Sequence, residues 1–124
     1  MNLRHPLARV KGLGASGEGS HHFWHQRVTA IALVPLTLWF VFSILGHIGG
    51  DYRTVTAWVA QPGVALALIL YFVCMFYHAQ LGLQVVIEDY VHTEWVRLVA
   101  LLSMKALFIV TGAAAILAVL RIAL

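Results

Sequence analysis

From Val28 to Gly50 the chain runs 23 residues without a formal charge, between Arg27 and Asp51. About 20 apolar residues in a helix cross the hydrocarbon core of a bilayer, so this run reads as a transmembrane helix over about 28–48. It is too long for a secretory signal, follows 27 polar or mixed residues, and has no A-x-A-type cleavage site behind it. Two further runs follow, Thr54 to Ile87 and Leu98 to Leu120, the last interrupted only by Lys105. Composition closes the soluble alternative: of 124 residues, 61% are hydrophobic and 10% charged, against roughly 45–50% and about 25% in soluble domains. So short a chain has too much surface to hide that many apolar side chains from water, and they must face lipid or other subunits. Disorder, collagen and coiled coil fail on the same figures.

The second run is too long for one upright helix, and Gln61-Pro62-Gly63 is its natural break, leaving a span over about 64–86. Ahead of the break, Ala57-Trp58-Val59 reads as a short interfacial helix with Trp58 in the headgroup belt, on the side of Tyr52. The third span covers about 98–120, and its Gly112-Ala113-Ala114-Ala115 stretch offers a small surface for close helix approach. Pro35 removes one backbone hydrogen bond inside the first span, where a modest kink is expected. The expected fold is all-α, a single membrane domain of three transmembrane helices over residues 21–124, with no internal repeat.

Charge sets the orientation. Arg4, Arg9, Lys11, Arg27 and Arg97 fall on one face and Arg53 and Arg121 on the other, which puts the N-terminus in the cytoplasm and the C-terminus in the periplasm. The connection from Glu88 to Arg97 is then cytoplasmic. Residues 1–20, with Gly12, Gly14, Gly17 and Gly19, form a flexible cytoplasmic tail. The net charge of +3 is read as topology rather than nucleic-acid binding, because no aromatic-interleaved basic face accompanies it. A single cysteine, Cys74, excludes an internal disulfide framework and any C-x-x-C motif.

The spans contain no Asp or Glu, which leaves a carboxylate-driven transporter little to work with. His78 is the polar residue at depth. A buried imidazole needs a partner, and its neutral nitrogen is either a ligand for haem iron or hydrogen-bonded to a neighbouring helix. At about 100° per residue, His78, Gly82, Val85 and Asp89 lie near one stripe. Gly82 leaves room beside the imidazole for a flat macrocycle or for close helix packing. Asp89-Tyr90 closes the helix about 16 Å beyond His78. These two residues are either a solvated helix end or a carboxylate and phenol able to hold a quinone carbonyl and supply its protons.

The stretch from His78 to His92, His-Ala-Gln-Leu-Gly-Leu-Gln-Val-Val-Ile-Glu-Asp-Tyr-Val-His, resembles the small hydrophobic membrane-anchor subunit of succinate dehydrogenase, respiratory complex II. So does the start of the first span, Ser20-His-His-Phe-Trp-His-Gln-Arg-Val-Thr-Ala-Ile-Ala-Leu33. The resemblance covers nearly the whole chain. It implies half of a heterodimeric helix bundle in the bacterial inner membrane, with His78 an axial ligand of a haem b shared with a cytochrome b membrane subunit. It also implies quinone-site roles for Tyr90 and Asp89 beside an iron–sulfur subunit, and positions near the haem propionates for Arg27 and His21. Glu88 departs from the family pattern, where many relatives carry a small hydroxyl residue.

The chain has no dinucleotide-binding glycine motif and no cysteine cluster, so FAD and iron–sulfur clusters are expected on a flavoprotein subunit and an iron–sulfur subunit. Ubiquinone is the expected substrate. The rival function is a small oligomeric transporter or channel subunit with His78 and Lys105 lining a polar path; a third reading is an anchor without haem. The remaining polar and aromatic residues take structural readings. Lys105 snorkels to the headgroups, and His47 with Asp51-Tyr52-Arg53 forms a helix end and turn. Cys74 packs, His22 and His25 are interfacial, and Tyr71, Phe72, Phe76 and Tyr77 meet both lipid and protein.

Overall fold

A computed structural model describes residues 18–124. Within them the chain is four helices, α1 Glu18–His47, α2 Tyr52–Val59, α3 Pro62–Tyr90 and α4 Glu94–Ala123, with no strand among the described residues. The expected tail lies outside the described residues, except for Glu18, Gly19 and Ser20, which open α1. Three helices are long and apolar enough to cross a membrane, as the sequence predicts; each begins ahead of its expected span, and α3 and α4 also end beyond theirs. At 30 residues α1 is about 45 Å long, half as long again as the hydrocarbon core. Its first turns therefore project with their histidines and Arg27 beyond the uncharged stretch. The helix passes through Pro35 without interruption.

Local chemistry sets the boundaries. Gly49, at φ +84°, takes the left-handed conformation that ends α1 and that a side chain would resist. Asp51 caps α2: its carboxylate accepts from the Thr54 backbone N–H at 2.8 Å and from the Thr54 hydroxyl at 2.6 Å. The hydroxyl, and then the backbone N–H, hold the Asp51 carboxyl below its ordinary value. Pro62 opens α3 at a position where no backbone donor is required. The interfacial helix expected around Trp58 is present and longer, and its Val55, Trp58 and Val59 turn inward while Tyr52, Arg53 and Ala57 remain exposed.

Helix α3 is the centre of the fold. It packs on α1 and on α4, whereas α1 and α4 share almost no contact. Neighbours run antiparallel. Phe40 of α1 stacks on Tyr71 at 4.7 Å, and Phe76 meets Phe108 of α4 edge-on at 6.1 Å. The small stretch on α4 receives an aromatic: a Cβ on Gly112 would lie 3.6 Å from the Phe76 ring, while Ala113 and Ala114 remain exposed. Near α2 the rings of His47 and Trp58 lie 4.5 Å apart, over a core of Val59, Ala65, Leu68 and Val119. That core is small for so apolar a chain. Ile31, Val34, Leu38, Phe42, Ile109 and Val110 stand at the surface, as a lipid- or partner-facing surface requires.

Candidate functional site

The antiparallel packing brings the start of α1, the end of α3 and the start of α4 to one end of the bundle. Arg27, Asp89, Tyr90 and Arg97 share that end, while α2, His47 and Arg121 occupy the other. Of the basic residues expected on one side, Arg27 and Arg97 share this end, while Arg4, Arg9 and Lys11 lie outside the described residues.

Within that end, His78 faces α1. Its Nδ1 lies 3.0 Å from the hydroxyl of Thr29, and Thr29 is 9% exposed, buried between the helices. The same hydroxyl donates back along α1 to the carbonyls of His25, at 2.7 Å, and Gln26, at 3.1 Å. One turn along α3, Gly82 lies against Gln26: a Cβ there would be 3.7 Å from Gln26 Nε2, with nothing else within 4 Å. Among the described residues, Gln26 is the helix neighbour that borders this space. Tyr77 bonds across the same seam, its hydroxyl 2.8 Å from His25 Nδ1. Two more seam atoms, His22 Nε2 and Gln26 Oε1, are shielded from solvent without a partner among the described residues.

His78 is only half-buried. With Ala30, Leu33, Val34, Thr37 and Leu38 of α1 it lines a groove of about 420 Å³, apolar apart from Thr37 and the imidazole. Nε2 makes no hydrogen bond among the described residues. A flat apolar group laid along α1 would meet one nitrogen ligand, and the exposed flanks of Val34 and Leu38 leave the far side to another chain. Arg27 is exposed and lies about 60° round α1 from Ala30, one turn toward the helix start, so it stands at the mouth of the groove. Its guanidinium sits 5.0 Å from the Phe23 ring centre. His21 is also exposed but about 180° round from Ala30, so the helix does not bring it to the groove.

Asp89 and Tyr90 end α3, and neither side chain makes a hydrogen bond or ion pair among the described residues. Tyr90 is 78% exposed, about 18 Å along the helix from His78. Glu88 has a partner, since its carboxylate accepts from Gln84 Nε2 at 2.8 Å. Lys105 is half-buried on α4. Because α4 barely meets α1 while His78 turns toward α1, the two do not line a common path within this chain. Thr29 was the residue missed by the sequence reading. Its signal was a lone hydroxyl in the first turn of an uncharged run, on the stripe that also carries Gln26 and Leu33.

The chain matches the family described as succinate dehydrogenase/fumarate reductase transmembrane subunit over residues 1–120. A succinate dehydrogenase hydrophobic membrane anchor subunit from Rickettsia bellii (strain RML369-C) is 34% identical over 118 residues, covering 95% of this chain and 94% of that protein. The protein of the same name from Paracoccus denitrificans is 32% identical over 85 residues, 68% of this chain and 66% of that one. A succinate dehydrogenase membrane anchor subunit from Reclinomonas americana is 32% identical over 94 residues, 73% and 78% of the two chains. No solved structure matches.

Proposed function

Since this chain belongs to the succinate dehydrogenase/fumarate reductase transmembrane subunit family, we propose that it ligates haem b through His78 and helps form the ubiquinone-reduction site of the complex it anchors. Its coarser role is that of a succinate dehydrogenase membrane anchor, working with other subunits of that complex in the bacterial inner membrane. The observation that carries the finer reading is the groove: an intramembrane imidazole with an unbonded nitrogen, set in an apolar trough whose outer wall another chain must supply.

The trough fits a flat apolar macrocycle, and Arg27 at its mouth suits the propionates, whereas His21, on the opposite side of α1, does not reach them. Haem b, when bound, supplies one-electron redox chemistry between membrane subunits. This chain's residues hold and orient it: His78 gives one ligand, and α1 excludes water along one face. The second ligand and outer wall come from a cytochrome b membrane subunit. At the membrane surface, Tyr90 donates a hydrogen bond to a quinone carbonyl and Asp89 orients the phenol or passes a proton. Their exposure and lack of internal partners leave both free to serve a site completed by an iron–sulfur subunit, with a flavoprotein subunit beyond it. The charge distribution supports a cytoplasmic N-terminus and a periplasmic C-terminus.

The test is purification of the complex through a tag on this chain. Flavoprotein and iron–sulfur partners should co-purify, and the reduced-minus-oxidised spectrum should show b-type bands that His78→Ala abolishes. A complex of full subunit composition without those bands would leave an anchor and refute the ligand.

A further inference from the structure

We infer that Thr29 is a positioning residue for the His78 ligand, fixing which imidazole nitrogen carries the proton and which faces the groove; this rests on the haem reading above. A threonine hydroxyl has one hydrogen and two lone pairs. Its short contact to the His25 carbonyl, 2.7 Å, takes that hydrogen, because a carbonyl only accepts. The Gln26 carbonyl at 3.1 Å competes for the same hydrogen and offers none of its own. The hydroxyl therefore meets His78 Nδ1, 3.0 Å away, with a lone pair. The proton in that contact belongs to the imidazole, and Nδ1–H donates to Thr29 Oγ1. Nε2 then holds the ring's unshared pair, the atom that a metal ligand must present.

Two consequences follow. Before any cofactor binds, the ring already has the tautomer and orientation needed for ligation, so little ordering remains to be done. After binding, an acceptor on Nδ1–H makes the imidazole a more basic donor, which favours the ferric over the ferrous state. Because the acceptor hydroxyl is itself polarised by the α1 carbonyls, the start of α1 acts on the iron through Thr29 without touching it.

The experiment uses the intact purified complex with Thr29→Val, which keeps the side-chain shape and deletes the hydroxyl, and Thr29→Ser, which retains it. Removal of such a ligand-supporting hydrogen bond weakens retention of the bound group by about 10–100-fold. Thr29→Val should therefore lose haem more readily during dilution and show a higher haem midpoint potential. A tenfold preferential weakening of the ferric form corresponds to about 59 mV for one electron. Thr29→Ser should restore both values. Native haem retention and native potential in Thr29→Val would overturn the inference. His78→Ala, measured alongside, separates this from the underlying reading: haem retained there refutes the ligand itself, whereas haem lost there but undisturbed in Thr29→Val refutes only Thr29. Where Thr29→Val does not assemble, nitrogen-15 histidine labelling of the reduced native complex decides. An Nδ1–H proton of His78 protected from solvent exchange supports the inference, and one exchanging as fast as free imidazole overturns it.

Discussion

Gly82 separates two uses of the same small residue. A Cβ at this position would sit 3.7 Å from Gln26 Nε2 and meet nothing else within 4 Å, so alanine fits in ordinary contact. Replacing an interior helical glycine by alanine favours the helix by about 0.8–1.0 kcal/mol. Gly82→Ala should be neutral or slightly stabilising. Leucine is different. Its Cγ extends about 1.5 Å beyond Cβ, which would bring it well inside van der Waals contact with Gln26, and overpacking of this kind costs about 1–3 kcal/mol. Thr29 is three residues from Gln26 on α1, and its contact with His78 is 3.0 Å; opening the helices by about 0.6 Å ends it as a hydrogen bond. Gly82→Leu should therefore lower thermal stability in detergent and reduce the haem-to-protein ratio. Gln26→Ala in the same chain should recover part of both, a non-additivity expected of residues in contact. The assay is haem absorbance per mole of complex alongside a melting curve. If Gly82→Ala loses haem as fully as Gly82→Leu does, the space serves the macrocycle and the assignment to Gln26 is wrong.

His78→Ala should remove haem and loosen subunit assembly, since a lost ligand bond joins two chains. His47→Ala, which disturbs only the tilted ring contact with Trp58 and a bond to the Ser43 carbonyl, should keep haem content native in the same spectrum. Tyr90→Phe should slow quinone reduction by several-fold to about a hundred-fold, from loss of one hydrogen bond worth about 0.5–1.5 kcal/mol or more. Succinate oxidation by soluble acceptors should stay nearly normal; Asp89→Asn should act in the same direction, and native quinone kinetics in Tyr90→Phe would remove the site assignment. Single cysteines placed at residues 10 and 92 in a Cys74→Ala chain should be labelled from the cytoplasmic side and one at 52 from the periplasmic side, and labelling of 52 and 92 from one side contradicts the topology. Asp51 has a lowered carboxyl, so its contribution to holding α2 is fully present above the ordinary value of 3.8 and is lost as pH falls through the lowered one. Trp58 fluorescence in the complex should report loosening only below that ordinary value, and Asp51→Asn should flatten the change.

The residues that made the membrane reading secure are those whose effect depends on composition and period alone. Three long uncharged runs demand helices because hydrocarbon offers backbone groups no partner outside their own helix. Pro62 and Gly49 mark boundaries by their own backbone constraints. His78 was conspicuous because an imidazole at depth is costly wherever the helix turns. What lies beside it was not legible, since neighbours 49 residues apart in sequence meet only through the antiparallel packing of α1 on α3. The pairing of Thr29 with His78, the filling of the Gly82 notch by Gln26, and the bond from Tyr77 to His25 all depend on helix register, which periodicity leaves free. Histidines 22 and 25 illustrate the same limit: the sequence reads them as interfacial side chains, and only the packing adds that His25 bonds across the seam to Tyr77. Sequence alone therefore determined that this chain spans a membrane three times, since that follows from transfer energies summed along each run. Which side of α3 meets α1, and hence which groove His78 opens into, was decided by tertiary packing, because side-chain shapes on two helices select a register only when the helices are in contact.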